Sequence, residues 1–162
     1  MKHHPAWLAA GLLVFVLLAC NMGRRTSNDN NANNSNTNRP AVAETEDTGP
    51  GNHIDKVHMA KDNGRGAPGD EVASFAPDDR TIHCVVKLKK AQRGTDMKFS
   101  WWIVDADGSQ NQKIKDIDYT TRTLENVVHG HLSLPQDWPT GKYKVQVFVN
   151  GDLDRTVNYT IQ

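Results

Sequence analysis

The sequence predicts an all-β domain, a seven-stranded antiparallel sandwich over residues 70–162 that follows a signal peptide and a disordered linker. Three observations predict it. From Asp70 onward, apolar and polar residues alternate with a period of two in short runs. Turn-forming residues separate these runs every 10–14 positions. No segment carries the 3.6-residue period of an amphipathic helix.

The elements follow in order. Val72–Phe75 is a short edge strand, stopped by Pro77-Asp78-Asp79. Thr81–Lys89 places Ile82, Cys84, Val86 and Leu88 on one face. After a turn at Gly94, Met97–Val104 does the same with Met97, Phe99, Trp101 and Ile103. Asp105-Ala106-Asp107-Gly108 is a loop, and Lys113–Thr121 is a weaker fourth strand. Val127–Leu134 turns Val128, Leu132 and Leu134 inward. Lys142–Asn150 turns Tyr143, Val145, Val147 and Val149 inward. Asn150-Gly151 is a strong two-residue hairpin signal. The seventh strand, Leu153–Ile161, contributes Val157, Tyr159 and Ile161.

Two details sharpen the architecture. Trp101 lies on the third strand, and the run Leu134 to Tyr143 forms a corner leading into the sixth. On these residues the stretch 70–162 resembles bacterial immunoglobulin-like or fibronectin-III-like modules. The resemblance implies that Trp101 is buried between the sheets and that Tyr143 is a tyrosine-corner residue. With Cys84 the only cysteine in this region, the inter-sheet disulfide of antibody domains is excluded.

Residues 1–19 read as a lipoprotein signal peptide. Lys2 opens it, and about 14 apolar residues follow, a length that suits a signal peptide better than a membrane span. The run ends Leu17-Leu18-Ala19-Cys20, which resembles the lipobox of bacterial lipoproteins. The resemblance implies acylation of Cys20, palmitate among the chains, and a membrane anchor in the cell envelope. Asn21 follows, where Asp would favour inner-membrane retention, so an outer-membrane location is expected in a Gram-negative host. Residues 20–69 are expected to be an Asn-rich disordered tether. Seven asparagines fall within residues 27–38, and no apolar period there offsets the entropy of ordering the chain.

Composition narrows the function. Lys+Arg and Asp+Glu both number 19, so no basic excess points to nucleic acid. Two cysteines are too few for a disulfide scaffold or a four-thiolate zinc site. No nucleophile elbow, His-Glu-x-x-His run or phosphate loop is present, so no enzyme and no cofactor is expected. Asp105-Ala106-Asp107-Gly108 departs from a calcium loop, having Gln110 at its sixth position and Asp116 at its twelfth. Asp116 and Asp118 are the further oxygens such a site would need.

Two surfaces carry candidate chemistry. Because Trp101 faces inward, Trp102 faces outward, and Phe148 does so by the same rule along with Lys142, Lys144 and Gln146. In an immunoglobulin-type sandwich the third and sixth strands are neighbours. Trp102 and Phe148 are then anchors on one exposed face, rimmed by Lys142 and Lys144, that takes a protein, peptide or glycan. The expected function is a membrane-anchored, non-catalytic binding module. The second reading is a periplasmic metal-binding protein. His129 and His131 share the solvent face of the fifth strand, the start of a zinc or copper set that needs a third ligand, with His53 or His58 as candidates. A hydrolase-type enzyme is the remaining alternative, and no motif supports it.

Overall fold

The computed structural model describes residues 45–47, 49 and 51–162, all within one compact unit, Thr37–Gln162. The expected signal peptide, the lipobox Cys20 and the Asn-rich part of the tether lie outside the described residues. Ten strands make up the described part: β1 (Thr45–Asp47), β2 (Ile54–Asp62), β3 (Pro68–Glu71), β4 (Ser74–Phe75), β5 (Thr81–Leu88), β6 (Asp96–Ala106), β7 (Ser109–Thr120), β8 (Val127–Ser133), β9 (Gly141–Val149) and β10 (Asp152–Ile161). They form two sheets. Sheet A runs β1-β10-β9-β6-β7, with β4 added in parallel beside β10, and sheet B runs β3-β2-β5-β8.

This is immunoglobulin-type topology. Read in the usual letters, sheet B carries A-B-E as β2-β5-β8 and sheet A carries G-F-C-C′ as β10-β9-β6-β7. The two expected hallmarks are present. Trp101 on β6 is fully buried and meets Tyr159 edge to face, with centroids 6.2 Å apart. The Tyr143 hydroxyl donates to the Pro139 carbonyl over 2.7 Å, closing the corner before β9.

The core is the alternating inward set of both sheets. Ile82, Cys84 and Val86 of β5 face Phe99 and Trp101 of β6 and Val145 and Val147 of β9, all with no measurable exposure. The hairpins follow from backbone freedom. Asp107 and Gly108 joining β6 to β7, and Asn150 and Gly151 joining β9 to β10, all have positive φ. A two-residue turn matched to strand twist requires that conformation, and Asn, Asp and Gly tolerate it.

Three expectations are corrected. The strand count is ten among the described residues, because β1, β2 and the start of β3 fall where a tether was expected. Residues 54–69 therefore belong to the domain. Ile54 and Met59 are fully buried, and β2 pairs with β5 over most of its length. The edge strand expected at Val72–Phe75 is a crossing between sheets. Val72 still donates its N–H to the Met59 carbonyl, whereas Ser74 and Phe75 pair with β10. The Asp105–Gly108 loop is a tight hairpin turn, so β6 and β7 continue right up to it.

Candidate functional site

The outer face of sheet A holds the residues expected to bind. In the β6–β9 ladder, Lys98 pairs with Phe148, Ser100 with Gln146, and Trp102 with Lys144. Trp102 and Phe148 do share one face, but the Ser100–Gln146 row lies between them. Four residues of strand separate their rows, about 13 Å. The expected continuous aromatic platform is thus two separate aromatic sites, and both rings are half-buried.

Lysines cover both rings. The Lys98 Nζ lies 4.2 Å from the Phe148 ring centre. The Nζ atoms of Lys113 and Lys144 lie 5.3 and 5.5 Å from that of Trp102, within the range of cation–π attraction. The Trp102 indole N–H donates to the Ser100 hydroxyl over 2.9 Å, which fixes the ring's orientation. Lys113 also pairs with Asp116 at 2.9 Å. Hydrogen bonding to Ser100, then to Lys113, holds the Asp116 carboxyl below the usual carboxylate range. Lys142 lies at the far end of the same face, opposite Asp105. Beside Phe148 a shallow cavity of about 340 Å³ is lined by Met97, Lys98, Asp118 and Tyr119.

The outer face of sheet B holds the histidines. His129 and His131 on the edge strand β8 are exposed, as their spacing implies. The structure adds a third ring that the sequence reading did not single out. His83 on β5 pairs directly with His131, and its centroid lies 5.4 Å from that of His131 and 5.3 Å from that of His129. His83 is fully buried although it points away from the core. Its Nε2 lies 2.9 Å from Asp62 Oδ2. His53 is not part of this group: it lies before β2, and its backbone N–H donates to Asp154 over 2.8 Å. His58 is on β2, across Val85 from His129. Partial burial lowers the pKa values of both His58 and His129, and for His129 the charges of His83 and His131 add to the effect.

The calcium reading fails on geometry. Asp116 and Asp118 pair with Ser100 and Lys98, well along the ladder from the Asp107–Gly108 turn. Among the described residues, no group of three or more His, Cys, Asp or Glu side chains is arranged to hold a metal ion as it stands. Cys84 is buried in the core, and burial raises its thiol pKa far above the ordinary value, so it is no nucleophile.

No protein-family model matches the chain, and no curated protein matches it. Among solved structures, the chain is similar to an immunoglobulin-like protein from Pseudomonas aeruginosa at 11% identity and a TM-score of 0.45. That match covers 75% of this chain and 99% of the other. It is also similar to the C-terminal domain of Wzt at 13% identity and a TM-score of 0.43, covering 76% of this chain and 82% of the other.

Proposed function

We propose that the protein is a lipid-anchored, non-catalytic binding module of the cell envelope, and that it engages its partner through the outer face of sheet A. The observation that carries this reading is the pairing of lysine ammonium groups with two aromatic rings on one sheet face. Trp102 and Phe148 supply the apolar area. Lys98, Lys113 and Lys144 supply charge, while Gln146 between them supplies hydrogen bonds.

The chemistry favours an acidic peptide or protein segment. An approaching carboxylate draws the lysines off the rings and forms charge-assisted hydrogen bonds with them, and the uncovered rings then pack against the ligand. The spacing of about 13 Å between the two aromatic rows equals four residues of an extended chain. A peptide lying along the face would reach both. Lys142 extends the rim.

Anchoring rests on Cys20. Acylation there would hold the domain at the membrane, in the outer membrane of a Gram-negative host, with the chain between Cys20 and β1 as its tether. Radiolabelled palmitate incorporated by the full chain, and lost in Cys20→Ser, tests the anchor. Capture of an envelope partner by the full chain, lost in Trp102→Ala/Phe148→Ala, tests the face.

A further inference from the structure

The histidine face of sheet B has features that the packing alone does not require. His83 is a fully buried polar side chain on the outward side of a sheet. Its Nε2 is engaged with Asp62. Its other ring nitrogen, Nδ1, is buried and has no hydrogen-bond partner among the described residues. Because the ionised Asp62 carboxylate only accepts, Nε2 carries the proton, and in the neutral imidazole Nδ1 is then the lone-pair nitrogen. An imidazole oriented by a carboxylate, with its other nitrogen unpartnered and two further imidazole rings 5.3 and 5.4 Å away between centres, has the second-shell arrangement of a metal ligand.

Asp62 is itself held in place. The backbone N–H groups of Gly64 and Gly66 donate to its Oδ1 over 2.6 and 3.3 Å. Both glycines have positive φ, 82° and 79°, so the loop is shaped to turn those N–H groups onto the carboxylate. Asp62 is thus fixed by the loop on one oxygen and fixes His83 through the other.

We infer that His83, His129 and His131 form a three-imidazole binding site for zinc or copper(II), with Asp62 as the residue that positions His83. The ring spacing supports this. The three centroids lie 5.3, 5.4 and 6.3 Å apart. With metal–nitrogen bonds of about 2.0–2.1 Å, three imidazoles sharing one tetrahedral ion have ring centres about 5 Å apart. His129 and His131 are exposed, which leaves their side chains room to rotate about χ1 and χ2 toward His83. Nitrogen donors select zinc and copper over calcium and magnesium. Three protein ligands leave a fourth position open toward solvent.

The test is titration of the detergent-solubilised full chain, free of any affinity tag, with zinc and separately with copper(II). Calorimetry or chelator competition reads affinity, and circular dichroism confirms the fold. The wild-type chain is expected to bind one ion at this site with sub-micromolar Kd. His129→Gln/His131→Gln, both changes at exposed positions, is expected to weaken binding by at least about 100-fold. Asp62→Asn is expected to weaken it about 10- to 100-fold, because the outer carboxylate sets the tautomer and orientation of His83. The histidines outside the site are unchanged in every variant, so a loss locates the site. Nitrogen hyperfine coupling in the copper spectrum of the wild type, lost in the double variant, gives a second readout. An unchanged Kd in the double variant, or no sub-micromolar zinc or copper binding by the wild type, would overturn the assignment of the site. An unchanged Kd in Asp62→Asn alone would overturn the positioning role.

Discussion

The ring of Phe99 lies against Gly130 so closely that a Cβ added to the glycine would come 2.5 Å from its Cγ. Gly130 is the inward residue between His129 and His131 on β8, and Phe99 comes from the facing sheet. The absence of a side chain at one position therefore sets how deeply the two sheets interlock. Gly130→Ala should overpack this point and destabilise the domain by about 1–3 kcal/mol. Phe99→Leu in the same chain should recover part of that loss, because the ring is what the new methyl meets. Chemical denaturation of the two variants checks both expectations.

The corner before β9 should be worth a single hydrogen bond. Tyr143→Phe removes the 2.7 Å bond to the Pro139 carbonyl, while the ring keeps its stacking on Tyr159 at 5.4 Å. A loss of about 1 kcal/mol is expected in urea unfolding, with no change in the m-value.

Residues 54–69 should prove indispensable. A chain that starts at Asp70 lacks β2, and with it the fully buried Ile54 and Met59 and the neighbour of β5. It is expected to lose cooperative unfolding, whereas a chain that starts at Thr37 should unfold in one transition. Calorimetry of the two chains distinguishes them.

That boundary shows where sequence reasoning stops. β8 and β9 were legible because each buries one face in strict alternation, as Val145, Val147 and Val149 do on β9. β2 breaks the alternation. A register shift between Ile54 and Lys56 puts its inward residues at Ile54, Val57 and Met59, a spacing of three and then two. Flanking Pro and Gly then make the segment look like a linker. The outward direction of Trp102, Phe148, His129 and His131 was legible from parity alone. The row between the two aromatic residues was not, nor was the meeting of His83 with His131, since both depend on register between strands distant in sequence.

The histidine face should make stability sensitive to pH. His58 and His129 both have folded pKa values below the ordinary 6.5. A group with a depressed folded pKa takes up fewer protons folded than unfolded, so its contribution is intact above about 6.5 and is lost as pH falls toward the folded value. Around His129 lie His83, His131 and Glu125; around His58 lie Glu71 and Lys56. Tm should fall between pH 7.5 and 5.5 at constant ionic strength with metal chelated. The fall should be smaller in His129→Gln, and an equal fall in both would remove His129 from the account.

Cys84 should be silent in the folded protein. Burial suppresses its thiolate, so a thiol reagent should label it only after unfolding, at a rate limited by opening of the core. Labelling of the native chain at Cys84 within minutes would contradict the packing of β5.

The most direct test of the binding face is quantitative capture from envelope extract with three full-length chains: the wild type, Trp102→Ala/Phe148→Ala, and His129→Gln/His131→Gln. The account predicts a partner retained by the wild type and by the histidine variant, lost by the aromatic variant, and released by raised salt as the lysines imply. Equal retention by all three chains, or loss confined to the histidine variant, would contradict it.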